Sequence, residues 1–234
     1  MSDIEEIAKT TGKAVDAARE AGGFLAPFIR RPIEQAAGIV GDWLTYVRWE
    51  RQQRLIERAN TFLKERGLAA PTRPVPLKIA IPIMREGSLE EDDELQDIWA
   101  RLLVNSADAD SGVEVKHMFL SILKDLTSPD ARVLQVLYSV SETDAQAGLW
   151  TAPLPKRVIL GKEMPTGVED FPSSEVKLNL ANLARLGLLA SSTTWGGGLS
   201  FKQVYQTDLG REFVRACSSS PHRGDSSSLY GTPG

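Results

Sequence analysis

Apolar residues recur at helical spacing through most of the chain. Residues 4–26 read as a helix in which Ala14, Ala18, Gly22 and Ala26 fall on every fourth position, a stripe of small side chains that lets another helix approach closely. Gly22 and Gly23 each cost about 1 kcal/mol relative to alanine in a solvated helix. Pro27 and Pro32 then interrupt the pattern, so this stretch needs a packing partner. Asp42 is placed to cap a second helix in which Trp43, Leu44, Val47, Leu55, Ile56, Ala59, Phe62 and Leu63 share one face, ending near residue 66 before Gly67 and Pro71. The other face sets Arg48, Arg51, Arg54, Arg58, Lys64 and Arg66 against Glu50, Glu57 and Glu65. It reads as a solvated face with intrahelical pairing in preference to a phosphate-binding one.

Between Pro71 and Met84 the pattern changes. Val75, Leu77, Ile79, Ile81 and Ile83 alternate among four prolines, which predicts an extended connector or edge strand. Ser88 and Glu91 have capping-box spacing and predict a helix ending near Ala107, with Leu89, Leu95, Ile98, Trp99, Leu102 and Leu103 as its broad apolar face. Phe119, Ile122, Leu123 and Leu126 predict another helix, and Ser128-Pro129 an N-cap and first-turn proline for the next, with Val133, Leu134, Leu137 and Val140 inward. Periodicity is lost from Ser141 to Pro172, read as a loop with a strand candidate at Arg157 to Leu160. Ser173 or Ser174 caps a helix closed by Gly187, and Leu188 to Tyr205 reads as two strands turned at Trp195-Gly196-Gly197-Gly198. Thr207 begins a last short helix containing Leu209, Phe213 and Val214. The serine, glycine and proline of residues 218–234 predict a disordered tail.

The predicted architecture is mainly α: a helical bundle followed by a winged helix-turn-helix-like unit with a short β-hairpin. It divides into an N-terminal small-residue region at 1–41, a central bundle at 42–140, a connector at 141–172, the winged-helix-like unit at 173–217 and the tail at 218–234.

Composition narrows the chemistry. With 42% hydrophobic residues among 234, there is enough apolar material for real cores. A net charge of -4 gives no global attraction to nucleic acid or anionic membrane. The single cysteine, Cys217, excludes an intrachain disulfide and fits a reducing, cytoplasmic setting. The acidic start lacks the basic end and apolar run of a signal peptide. The longest apolar stretch, from Ala21 to Val47, contains Arg30, Arg31, Glu34 and Asp42, each costing about 2.5 to 3.5 kcal/mol near a bilayer centre. Membrane association is therefore expected only at the surface, through the N-terminal helices.

Candidate chemistry is sparse. His117 and His222 have no metal-ligand spacing to any neighbour, so no metal is expected. Glu90, Glu91, Asp92, Asp93, Glu94 and Asp97 cluster at a predicted helix start, where the helix dipole favours them without a ligand. The glycines 196–198 lie between strands and open no helix, so they resemble a wing tip more than a phosphate cradle. No catalytic centre and no cofactor site is expected. If the winged-helix-like unit met DNA, Lys177, Arg185 and Lys202 would be the phosphate contacts, but residues 171–217 carry a net charge of only +2.

Asp93 to Leu103 followed by Asn105-Ser106-Ala107 resembles the central motif of the Abi-alpha family of abortive-infection proteins. His117-Met118-Phe119, Ile122 to Leu126, Ser128-Pro129-Asp130-Ala131, Asn182 to Leu188 and Thr207 to Phe213 extend the similarity over roughly residues 40–217. Trp99, Leu102, Leu103, Ser128, Pro129, Leu186, Gly187, Gly210 and Phe213 are motif residues of structural type, namely caps, turn glycines and core side chains. The resemblance implies an all-helical phage-defence protein and carries over no catalytic residue. Three functions follow for comparison: a non-enzymatic defence protein acting through protein, self-association or membrane-surface contacts; a winged-helix DNA-binding transcriptional regulator; and, last, an enzyme built on the acidic cluster.

Overall fold

The computed structural model describes residues 49–163, 171–193 and 199–219. The small-residue stripe at Ala14, Ala18, Gly22 and Ala26, the Asp42 cap, the glycine turn at 196–198 and the tail beyond residue 219 lie outside them. The described part is mainly helical, with a small antiparallel four-stranded sheet. Chain contacts define two compact units, residues 1–117 with 217–234, and residues 118–216.

The first unit contains helices α1 (Trp49–Glu65), α2 (Leu77–Leu89) and α3 (Asp93–Ala107), each packed on the other two. Leu55, Ile56, Ala59 and Leu63 are the buried stripe of α1, recurring at three- and four-residue steps as the sequence pattern requires. Gly67, at φ 70°, ends α1 while Leu68 N–H reaches back to Leu63 O at 2.9 Å and Gly67 N–H to Lys64 O at 2.8 Å.

Helix α2 overturns, from Leu77 onward, the extended connector expected over Pro71 to Met84, while residues 71–76 remain without helix. Its buried residues Ile79, Ala80, Ile83, Met84 and Gly87 are spaced for a helix, a pattern that the alternation of isoleucines and the prolines hides. Pro76 occupies the N-cap, where no helical N–H is needed, and Pro82 is accommodated inside the helix. A proline there costs about 3 kcal/mol; burial of Ile79, Ile83 and Met84 offsets it, each large apolar side chain contributing about 1.5–3 kcal/mol. Close packing of α2 also explains Gly87: a Cβ there would lie 2.9 Å from Trp99 Cβ and 3.0 Å from Leu55 Cδ2.

The expected Ser88 cap is likewise corrected. Ser88 is still within α2, buried, with its hydroxyl donating to Met84 O. The actual cap of α3 is Asp92, whose carboxylate accepts from Glu94 N at 2.9 Å and Leu95 N at 3.0 Å. From Leu95 to Ala107, α3 is buried along nearly its whole length, with Trp99, Leu102 and Leu103 among its most enclosed side chains. At its far end the Arg73 guanidinium donates to Ser106 O at 2.8 Å and Asn105 O at 2.9 Å, carbonyls that the helix itself does not pair, and to Val113 O at 2.8 Å in the following loop.

The second unit begins within α4 (His117–Lys124) and continues through α5 (Ser128–Leu137), α6 (Glu142–Ala145), β1 (Leu149–Trp150), β2 (Ile159–Leu160), α7 (Ser174–Arg185), β3 (Leu189–Thr193), β4 (Leu199–Gln206) and α8 (Asp208–Cys217). The cap of α5 falls one residue earlier than expected. Thr127 Oγ1 accepts from Asp130 N at 3.3 Å and Asp130 Oδ2 from Thr127 N at 3.0 Å, a reciprocal capping box, so Ser128 is the first helical residue and Pro129 lies in the first turn. Ser173 caps α7, accepting from Val176 N at 3.3 Å.

The strand order is β2-β1-β4-β3, antiparallel throughout, with Leu149 opposite Leu160 and Val204, and Ala190 opposite Tyr205. The strand expected near Arg157 to Leu160 is present as β2. β1 was not expected: two residues, Leu149 and Trp150, are too short a run for alternation to register. Helix, hairpin, helix does follow from residue 174 onward, and α7 packs on β3, β4 and α5.

Candidate functional site

In the first unit three arginines of α1, Arg51, Arg54 and Arg58, find partners on α3 and the turn before it. Arg51 Nη2 lies 2.5 Å from Glu91 Oε1, Arg54 Nη1 2.9 Å and Arg58 Nη2 2.8 Å from Asp93 Oδ1, and Arg58 also pairs with Asp97. Among the described residues these arginines pair between helices, beside the intrahelical pairing expected of this face. The acidic cluster has a second role beside the helix dipole, because Asp92 caps α3 while Glu91, Asp93 and Asp97 dock α1. Among the described residues no group of three or more His, Cys, Asp or Glu is arranged to hold a metal ion. Cys217 is buried, and desolvation pushes its thiol up, opposed in part by the charge of Arg101, so the reactive thiolate is suppressed.

The second unit gathers motif residues into one hydrogen-bonded node. Tyr138 Oη donates to Leu188 O at 2.6 Å and accepts from Thr207 N at 3.0 Å. Thr207 Oγ1 donates to Gly187 O at 2.7 Å and accepts from Gly210 N at 3.0 Å, capping α8. Gly187, at φ 74°, adopts a backbone that only glycine holds without strain, and closes α7 with Leu186 as its C-cap. Phe213 is buried, edge-on to Phe119 with ring centroids 5.9 Å apart. Burial of the Tyr138 hydroxyl raises its pKa, against the lowering effect of the Thr207 hydrogen bond. Tyr138 carried no signal in the sequence, since one tyrosine at the end of a predicted helix is unremarkable without its partners.

The three cations singled out within residues 173–217 separate into two places. Arg185 is held by Asp125 Oδ2 at 3.1 Å and by Asn182 Oδ1 at 2.9 Å. Lys177 and Lys202 meet instead around Phe171, with ammonium to ring-centroid distances of 5.3 and 5.7 Å, and Lys202 also lies 5.6 Å from the centroid of Trp150. These are cation-π distances. Phe171 is 50% exposed. Neither aromatic was a candidate: Phe171 and Trp150 belong to a stretch without periodicity, and only the antiparallel pairing of β1 with β4 brings Trp150 beside the strand of Lys202.

On α7 itself, Val176, Leu180 and Leu183 point inward. Ser174, Leu178, Ala181 and Arg185 follow one another at three- and four-residue steps on the opposite side. Leu178 is 73% exposed at the centre of that face, the most exposed large apolar side chain among the described residues.

The chain is thus a mainly helical protein whose second unit sets an outward apolar-basic helix face beside a small antiparallel sheet. Residues 50–217 match the family model described as abortive infection alpha, and the chain belongs to this Abi-alpha family. The family name associates it with abortive infection. No curated protein and no solved structure matches the chain. Among the described residues no helix is long and apolar enough to cross a membrane.

Proposed function

We propose that the chain acts in phage defence without catalysis, by binding a protein partner through the outer face of α7 in a cytoplasmic setting. The observation that carries this reading is Leu178, a leucine 73% exposed in the middle of a helix face whose inner side is firmly packed. Burying an aliphatic side chain of this size contributes about 1.5–3 kcal/mol to an association, and such central apolar anchors dominate interface energetics. Helix α7, the β3–β4 hairpin and α8, with β1 beside β4, support reading this part of the chain as winged-helix-like. In that arrangement α7 is the presented helix. Its outward residues, Ser174, Leu178 and Ala181, offer little for reading base edges, and Arg185 is committed to Asp125. This supports a protein-contact use of the unit over a duplex-binding one.

The test is phage challenge of a sensitive host expressing the full chain, scoring infected-cell growth arrest and phage yield. Leu178→Asp, checked for unchanged circular dichroism, is expected to abolish protection. Protection equal to that of the unsubstituted chain would refute the proposal.

A further inference from the structure

The outer face of α7 is complementary to itself. Its central strip runs Ser174, Leu178, Ala181, Arg185, all of them exposed. The one large apolar side chain therefore has a serine a turn before it and an alanine a turn after it. A second α7 laid end for end against this strip, about a twofold axis between Leu178 and Ala181, sets each Leu178 on the other copy's Ala181 and each Ser174 beside the other copy's Arg185. A large side chain then meets a small one at each level, and small residues let two helices approach closely. The parallel arrangement sets leucine on leucine and arginine on arginine, and it aligns the two helix dipoles in the same sense.

The charges at the border agree with the antiparallel arrangement. Glu175 lies in the first turn of α7, is exposed and forms no ion pair among the described residues. The twofold axis places it within one residue's rise, about 1.5 Å, of the level of Arg185 in the other copy. Arg185 has a side chain 58% exposed; its Nε and Nη2 engage Asn182 and Asp125, so neighbours fix the guanidinium while Nη1 keeps donors to give. Like charges stay apart, since the two Glu175 carboxylates start about 13 Å from each other along the axis. Lys177 lies on the opposite border, more than one turn from its symmetry mate.

We propose that the occupant of the outer α7 face is a second copy of this chain, docked antiparallel about a twofold axis with Leu178 on Ala181 and Glu175 beside Arg185. The inference rests on the protein-contact reading of α7 and names its partner. Twofold pairing through one self-complementary patch is the commonest way identical chains associate. A helix of 12 residues offers a small contact, below the roughly 1,200 Å² of a stable interface. The pair therefore forms and dissolves with concentration.

The experiment is sedimentation equilibrium of the full chain from about 10 µM to about 1 mM, a range that covers weak association. The expected result is a mass that climbs from monomer toward dimer, with the dissociation constant raised about tenfold or more in Leu178→Asp and raised to a lesser degree in Glu175→Lys. Cysteine cross-linking reads the orientation, because Cys217 is buried and leaves the background clear. Leu178→Cys, next to the axis, should give an oxidised dimer. Ser174→Cys should not, since its symmetry mate is about 16 Å away along the axis and a disulfide needs Cα atoms within about 7 Å. A monomer at every concentration, a dimer untouched by Leu178→Asp, or cross-linking through Ser174→Cys overturns the inference. Phage challenge separates it from the reading beneath it. A monomeric chain whose protection is lost in Leu178→Asp removes the second copy alone and leaves a different protein on the face. A dimer that Leu178→Asp dissolves without loss of protection upholds the second copy and removes the use of this face in defence.

Discussion

Gly210 is expected to be intolerant of the smallest side chain. A Cβ at this position would stand 1.8 Å from Tyr138 Oη, 2.4 Å from Leu188 O and 2.6 Å from Tyr138 Cζ. In a solvated helix, alanine in place of glycine would gain about 1 kcal/mol. Here the new methyl must expel the phenol oxygen that donates to Leu188 O and accepts from Thr207 N. Leaving such groups without partners costs about 1–3 kcal/mol, and overpacking adds about 1–3 kcal/mol. The net expectation for Gly210→Ala is a loss of about 2–4 kcal/mol. Tyr138→Phe alone should cost about 1–2 kcal/mol, through the same two hydrogen bonds. Because the phenol oxygen is the closest obstacle, the double variant should lose less than the sum of the single losses, by about 1 kcal/mol. Urea unfolding followed by far-ultraviolet circular dichroism, with hydrogen exchange of the Thr207 and Gly210 amides as a local readout, measures all four corners of the cycle. Gly210→Ala as stable as the unsubstituted chain, or strict additivity with Tyr138→Phe, would refute the steric and hydrogen-bonding argument together.

Three further outcomes follow from the packing. Arg73→Met should lower stability by about 2–3 kcal/mol, since two carbonyl acceptors at the end of α3 and that of Val113 in the following loop lose a charged donor; an unchanged urea midpoint would show that water replaces it freely. Arg58→Ala should cost about 1–2 kcal/mol and Arg54→Ala less than about 0.5 kcal/mol, because the Arg58 side chain is 22% exposed against 52% for Arg54; equal losses would contradict that ranking. Burial raises the Tyr138 pKa above its ordinary value of 10.0, so the folded chain holds this proton more tightly than the unfolded one. Its contribution is fully present below that value and is lost as pH rises through the folded pKa. Stability curves of the unsubstituted chain and Tyr138→Phe should therefore run parallel in neutral solution and converge in strong alkali; a constant difference throughout would contradict the shift.

Legibility in the sequence followed the physics of each element. Helices with an unbroken apolar stripe, such as α1 and α3, announced themselves, and so did the glycine stop at Gly67 and the Ser173 cap. Helix α2 was hidden because local chemistry and tertiary burial pull in opposite directions there. Its prolines and alternating isoleucines speak for extended chain, whereas Ile79, Ile83 and Met84 are worth more buried against α1 and α3. The caps at Asp92 and Thr127 were each misplaced onto a nearby serine, Ser88 and Ser128, because several residues of the same type crowd those boundaries and only backbone geometry chooses among them. Of the candidate site, Lys177 and Lys202 could be named in advance, but their shared ring could not. Trp150 is brought beside Lys202 by strand pairing, and Phe171 meets Lys202 across about thirty residues of chain, long-range facts with no local trace.

The separate motif segments of the second unit prove to be parts of one mechanical arrangement. Asn182 Nδ2 donates to Asp130 Oδ2 at 2.8 Å and to Asp125 O at 3.1 Å, while Arg185 reaches the Asp125 carboxylate. Asp130 is at the same time the capping-box acid of α5. The last turn of α7 is thereby tied to the α4–α5 turn, its C-terminal end to Tyr138 and Thr207 through Leu188 and Gly187, and its buried stripe to the sheet. A helix fixed at so many points presents its outer residues without further ordering, and preorganisation of that kind reduces the entropic cost of binding. The motif residues consequently account for how α7 is held in place, and on the proposed protein-contact reading the binding itself falls to a residue outside the motif's structural set, Leu178 at the centre of the outer face.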